Sequence, residues 1–443
     1  MYLSAKSKEL LTEFRHYGTM EPRQFVIDLE ACEGMYLVTI DGQRIFDWTN
    51  YYASKLIAHN HPALYEPEYV SRLVKAANNK VSNPDFVTME LIDYYRLLHR
   101  IAPKCMRSSS GKFEGQVFTL NSGAEAMENA LKYLISLYKN KDVSRKTPKK
   151  SDTPCFVFFQ NGYHGRTIYT LNVSDMPHNR IATRDYHGLT IKNLMVPFPA
   201  IDNNNSREWN DESMRRCIET LDKTLSFNGF NVAGIVVEPM QGTGGHNVAV
   251  NGFFRELSII ANKHDVPVCF DEVQTAGGPT GDVFMCDQLD LVFPPHVVAS
   301  AKKFGCGVVY LLEHVKEEDL LDSTWSGNLS DMVRFVQEWS VVEKENLIQK
   351  SHNIAIALKT GLISLTQKHH NLIYNVRGMG LYQGFSFFDA KKRNDFIDIA
   401  LDKHNTLLMS AGTHSVRFRP HLNVTNVDIT YLLHILDSTL TEA

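Results

Sequence analysis

An acid and an amine, each closing an apolar run, are the residues of this chain best placed to do chemistry. Val266-Pro-Val-Cys-Phe runs into Asp271, and His296-Val-Val-Ala-Ser-Ala delivers Lys302, 31 residues further on. A lysine amine can form a Schiff base with pyridoxal phosphate, and a carboxylate can keep the ring nitrogen of that cofactor protonated so that the ring accepts electrons. The pairing points to chemistry at an amino group. Taken singly, each residue says little, since an acid at a strand end commonly caps a helix and most lysines are solvated. Lys303 follows directly; the run Val297-Val-Ala-Ser-Ala puts Lys302 first after the strand, which favours it as the reactive amine.

Two further stretches could serve the same site. Asn121-Ser-Gly-Ala-Glu-Ala reads as a strand-to-helix turn, placing the Gly123 and Ala124 N–H groups at a helix N-terminus. Such an end binds phosphate through its unpaired donors and the helix dipole, although an ordinary capped helix has the same pattern. Gln160-Asn-Gly-Tyr-His-Gly-Arg-Thr follows another apolar run. There Tyr163 could stack on a pyridine face and Arg166 could clamp a carboxylate; the bland reading is a glycine-rich turn with a surface arginine.

The elements that must position these residues read as a mostly parallel sheet. Gln116–Leu120, 155–159, 233–238, 266–270 and 296–301 are near-continuous apolar runs, with helical periodicity over Glu125–Lys139 and Phe253–His264. Strands of that kind alternating with helices are buried on both faces, and ligands lie beyond their carboxyl ends. Residues 24–58 suggest a small β meander (24–29, 35–40, 44–48) turning at Asp41-Gly42. Residues 140–153 and 202–212 read as polar surface loops. Beyond about 330 the pattern predicts a helix through 333–344, strands near 381–387 and 415–418, and a closing helix at 427–440.

Composition bounds the function. With 43% hydrophobic and 22% charged residues and a net charge of −4, the chain offers no electrostatic basis for binding nucleic acid or an anionic membrane. It has no apolar run of membrane-spanning length and no signal-peptide core near Met1, so a cytoplasmic protein is expected. Seven scattered cysteines without CxxC spacing read as reduced, buried thiols rather than disulfides or a metal site.

Together the motifs resemble the class III (ω-) aminotransferases of fold type I over nearly the whole chain. The matching stretches are Asp28-Leu-Glu…Gly34-Met-Tyr-Leu-Val, His59-Asn-His-Pro, Asn121-Ser-Gly-Ala-Glu-Ala, Tyr163-His-Gly-Arg-Thr, Glu238-Pro-Met-Gln-Gly, Asp271-Glu-Val-Gln-Thr and Val416-Arg-Phe-Arg-Pro. Within the class, Ser323-Thr-Trp-Ser-Gly-Asn-Leu, Arg377-Gly-Met-Gly-Leu and Ala411-Gly-Thr-His-Ser are most similar to the L-lysine 6-aminotransferases. The 4-aminobutyrate aminotransferases come next and share the double lysine.

The resemblance implies an α/β fold in which residues 61–325 form a large, mostly parallel domain that binds pyridoxal 5′-phosphate. Residues 1–60 and 326–443 would build a smaller α/β domain from both chain ends. It implies that Lys302 forms the Schiff base and moves the substrate proton, with Asp271 on the ring nitrogen. Ser122, Gly123 and Ala124 would lie at the phosphate, Tyr163 on the ring, His164 beside it, and Gln274 at the phenolic oxygen. Thr324 would reach the phosphate of the neighbouring subunit in a homodimer. Arg166 would meet the substrate carboxylate and Arg417 the second carboxylate of 2-oxoglutarate.

One departure bears on the substrate. Much of the class has a glutamate that pairs with the arginine matching Arg417 and masks it from the amino donor; here the stretch is Gln241-Gly-Thr-Gly-Gly, with Thr243 at that place. A threonine cannot neutralise a guanidinium, so Arg417 would stay open to carboxylates in both half-reactions. Phe304-Gly-Cys-Gly is also one residue shorter than in the lysine enzymes. The expected reaction is transfer of the terminal amine of L-lysine to 2-oxoglutarate, giving the 6-semialdehyde and glutamate. The alternative donors are 4-aminobutyrate, ornithine or an acidic amine. The arginine pair argues against a decarboxylase, racemase or aminomutase, and intact Asp271, Gln274 and Lys302 argue against a scaffold that has lost activity.

Overall fold

The computed structural model describes residues 3–80, 82–140, 153–177, 193–228, 231–317 and 319–442. Most of the predicted loop 140–153 lies outside them. Strands are numbered in chain order. β1 (Tyr36–Val38) and β2 (Arg44–Asp47) form an antiparallel pair. The expected first strand of that meander is reduced to a single bridge between Ile27 and Thr39. The Asp28 carboxylate accepts from the Glu30 and Ala31 amides and turns the chain before a strand can extend.

β3 (Gln116–Leu120), β4 (Cys155–Phe159), β5 (Leu194–Val196) and β6 (Val232–Val237) enter the main sheet. A two-residue ribbon of β7 (Met240–Gln241) and β8 (Asn247–Val248) follows. β9 (Val268–Asp271), β10 (Val297–Ser300) and β11 (Gly307–Leu311) complete the main sheet. Its order is β3-β11-β10-β9-β6-β4-β5, and only β11 runs antiparallel to its neighbours. Alternation along each strand splits the interior into two cores. Phe156, Phe158, Val236, Cys269 and Val297 pack with Ala126, Leu131 and Leu134 of the helix Gly123–Asn140. Val157, Phe159, Ile235, Val268 and Phe270 face the other way, onto Phe253, Phe254 and Leu257 of the helix Phe253–Lys263. A sheet covered on both faces needs such unbroken apolar strands, and its functional residues must sit at the strand ends.

The helix Arg207–Asn228 replaces half of the loop expected at 202–212, with the Ser206 hydroxyl accepting from the Trp209 amide at its start. The predicted later helices are present as Leu329–Lys344 and Asn426–Glu442, with a further helix at Leu347–Lys368. β12 (Ile373–Met379), β13 (Tyr382–Phe387), β14 (Thr406–Leu407), β15 (Met409–Ala411) and β16 (Ser415–Arg417) follow. Four of these make an antiparallel sheet in the order β12-β13-β16-β15, while β14 joins β2 in parallel, so the early and late parts of the chain share one small sheet. Among the described residues, no helix is long and apolar enough to cross a membrane.

Candidate active site

Three strand ends converge. β3 leads straight into the helix Gly123–Asn140, where the Ser122 hydroxyl accepts from the Glu125 amide (3.3 Å) and the Glu125 carboxylate accepts from Asn121 N (2.8 Å). This reciprocal cap leaves the Gly123 and Ala124 amides without an intrahelical acceptor. A Cβ on Gly123 would stand 2.6 Å from Val273 Cγ1 and 3.4 Å from Ala301 Cβ. The helix end is therefore pressed between the segment that follows Asp271 and the residue that precedes Lys302.

Asp271 closes β9 and is buried. Its Oδ1 accepts from the Val273 amide (3.0 Å), and its Oδ2 is 2.7 Å from His164 Nδ1. His164 is thereby tied to the acid. Burial works against its charge, but the hydrogen bond and negative charge of Asp271, with Glu238 adding, hold its pKa above the ordinary value. Glu238 accepts from the Tyr163 and Gly242 amides (both 2.9 Å). Burial, opposed by His164 and reinforced by Asp271, raises its carboxyl to about 7.

Lys302 lies just past β10 with φ 56°, and its Nζ donates to the Tyr52 carbonyl at 2.8 Å. Burial, then the charges of Arg417 and Arg419, lower its pKa to about 8, against Asp271 and Glu238. Lys303 is committed elsewhere. It is fully buried, and its Nζ donates to the carbonyls of Ala53 (3.2 Å) and Gln274 (2.8 Å) and to the Tyr382 hydroxyl (3.1 Å). Both lysines thus hang from one turn, Asn50–Ala53, whose four residues all have left-handed φ (50°, 48°, 59° and 69°). Left-handed backbone costs roughly 1–2 kcal/mol per non-glycine residue. The Asp47 carboxylate offsets part of that by accepting from Thr49 N, Thr49 Oγ1 and Asn50 N.

Opposite the lysines stand Arg417 and Arg419, both buried, sharing Gln274 Oε1 at 3.1 Å each. Gln274 therefore spends its side-chain carbonyl on guanidiniums. Burial lowers Arg417 to about 10 and Arg419 to about 9, the latter helped by Arg417. His246 Nδ1 meets Arg419 at 2.9 Å; burial and the surrounding arginines keep that imidazole neutral. Among the described residues no Asp or Glu forms an ion pair with either arginine. Thr243 contributes only its carbonyl, to the Gly412 amide. The Tyr163 amide is tied to Glu238, whose charge opposes the effect of burial on Arg417.

Arg166 and Thr324 are exposed and outside this cluster within the single chain. Arg419, Glu238, His246 and Tyr52 are residues of the site to which sequence reasoning gave no role. Arg419 had a visible signal: Val416 and Phe418 face the core, so Arg417 and Arg419 must share the other side. The donor set fits pyridoxal phosphate, with free helix-end amides for a phosphate, a buried acid for a pyridinium nitrogen and an amine of lowered pKa between them.

Known proteins resemble this chain over most of its length. The family model described as aminotransferase class-III matches residues 17–440. L-lysine-epsilon aminotransferase of Streptomyces clavuligerus is 28% identical over 429 residues, covering 94% of this chain and 90% of the relative. Mitochondrial 4-aminobutyrate aminotransferase of Sus scrofa is also 28% identical, over 444 residues, covering 94% and 85%. The solved lysine aminotransferase from M. tuberculosis in the internal aldimine form superposes with a TM-score of 0.90 at 25% identity, over 98% of this chain and 99% of that one.

Proposed function

Because the chain belongs to the class III aminotransferases, enzymes dependent on pyridoxal 5′-phosphate, we propose that it moves the terminal amino group of L-lysine to 2-oxoglutarate. The products are then the 6-semialdehyde and glutamate. What supports this donor is the likeness to a lysine aminotransferase along almost the full length of both chains.

In this reading Lys302 would hold the cofactor covalently, the Gly123 and Ala124 amides and Ser122 would receive its phosphate, and Tyr163 would meet its ring. When bound, the cofactor supplies an electron sink that acidifies the hydrogen on the amine-bearing carbon. Asp271, oriented by His164, keeps the proton on the ring nitrogen. The Lys302 amine, with its pKa near 8, would take the proton from the amine-bearing carbon and return it two atoms away, across the nitrogen, which suits a general base working near neutral pH. Arg417 would bind the distal carboxylate of 2-oxoglutarate, and Arg166 the α-carboxylate. Thr324, exposed on a single chain, meets the phosphate of a second subunit in a homodimer.

One observation favours a second reading. Arg417 meets only neutral acceptors, Gln274 Oε1 and the Ser410 carbonyl, so a donor carrying a second carboxylate would find its charge unpaired. Titrating amines into the holoenzyme while following the visible cofactor band decides between the two. Bleaching by L-lysine, reversed by 2-oxoglutarate, supports the lysine reading. Silence toward lysine with bleaching by an acidic amino acid overturns it.

A further inference from the structure

Away from this site, two cysteines far apart in the sequence meet. Cys105 Sγ and Cys286 Sγ are 3.5 Å apart, and with a carboxylate oxygen of Asp287 they form a group whose atoms all lie within 4.8 Å of one another. We propose that Cys105, Cys286 and Asp287 bind a thiophilic divalent cation of the zinc class, with solvent as the fourth ligand.

The sulfur spacing suits an ion. Two thiolates on a tetrahedral zinc, at ~2.3 Å each, stand ~3.8 Å apart, so the sulfurs need move only a few tenths of an ångström. A disulfide would need them to close to ~2.05 Å. Asp287 supplies an independent observation. Its Oδ1 accepts from the Cys105 amide at 2.9 Å, but its Oδ2 is buried with no partner, a costly arrangement that an ion would relieve. Cys286 is buried, whereas Cys105 and Asp287 are partly exposed, and Asp287 lines a cavity of about 310 Å³ that gives an entry path. The basic groups around that cavity are already engaged. Lys104 pairs with Asp282, Arg100 with Glu343, and Arg107 donates to the carbonyls of Arg100 and Ala102. On binding, two S–H bonds break, two metal–sulfur bonds form and two protons leave to solvent, so affinity rises with pH. The ion would tie the turn Lys104–Met106 to the turn Met285–Gln288, whose first amides donate to Glu272 beside Asp271.

The test is a Co²⁺ titration of reduced, chelator-stripped holoenzyme, followed through the d–d bands that lie well to the red of the cofactor. One tetrahedral, thiolate-ligated Co²⁺ per chain, displaced by Zn²⁺, is expected. Cys105→Ser should weaken Co²⁺ binding and at least halve the thiolate contribution, Cys105→Ser with Cys286→Ser should abolish it, and Asp287→Asn should weaken binding by at least ~10-fold. All of these variants should keep the cofactor band as evidence of folding. No tetrahedral d–d bands at one equivalent, bands undiminished in Cys105→Ser, or loss of two titratable thiols to a disulfide in place of metal uptake would overturn the proposal.

Discussion

At the scale of the residue, adjacent lysines have opposite fates. Lys302→Ala is expected to lower turnover by ~10²–10⁴-fold and to remove covalent retention of the cofactor. Lys303→Met should keep the cofactor band but lose about 1–3 kcal/mol of stability, because three buried acceptors lose their donor. Borohydride reduction followed by peptide mapping checks the first; cofactor labelling at position 303 would sink it. The lowered pKa of Lys302 also has a sign. The folded state loses the proton near pH 8 while the unfolded chain keeps it to 10.5, so between these values the unfolded state binds more protons. Stability of the cofactor-free protein should therefore rise with pH across that window, and Lys302→Met should flatten the rise in a series of urea melts. Strand-end position made Asp271 and Lys302 legible in the sequence. The raised carboxyl of Glu238 was not, because it comes from burial beside His164 and Asp271, partners that only the folded sheet brings near.

At the scale of the element, the left-handed turn Asn50–Ala53 gives the clearest expectation. Ala53 is fully buried with φ 69°, and glycine tolerates that backbone without strain. Ala53→Gly should be neutral or stabilising by up to about 1 kcal/mol in denaturant unfolding, where an ordinary helical alanine would lose 0.5–1 kcal/mol, as a rough guide. A loss of that size would contradict the strain described. The N-terminus of the helix Gly123–Asn140 predicts the reverse. Gly123→Ala drives a Cβ to 2.6 Å from Val273 and should cost about 1–3 kcal/mol in cofactor affinity, read as the dissociation constant of pyridoxal phosphate. Helices and buried strands were legible because periodicity reports burial directly. The turn was not, since Asn-Tyr-Tyr-Ala carries no glycine to announce a positive φ. The strand expected at 24–29 failed for a local reason, the Asp28 side chain competing for backbone amides.

At the scale of the whole molecule, the doubly covered sheet was legible from the strand patterns, while the joining of the chain ends was legible only through the family resemblance. β14 pairs with β2 across some 360 residues of sequence, and no local pattern encodes a partner that far away. A fragment covering 326–443, expressed alone, leaves β14 without its neighbour and should show no cooperative thermal transition by circular dichroism; a sharp, reversible melt would contradict this. The same closure sets a timetable for biosynthesis. Tyr52, which receives the Lys302 amine, and Arg419, which faces it, are 367 residues apart. At ~5–20 residues per second a ribosome needs about 18–73 s to travel between them. For that interval the nascent chain carries half a pocket. A message truncated before codon 417 then yields a protein without its anion clamp, so quality control meets a defective product rather than a slow enzyme.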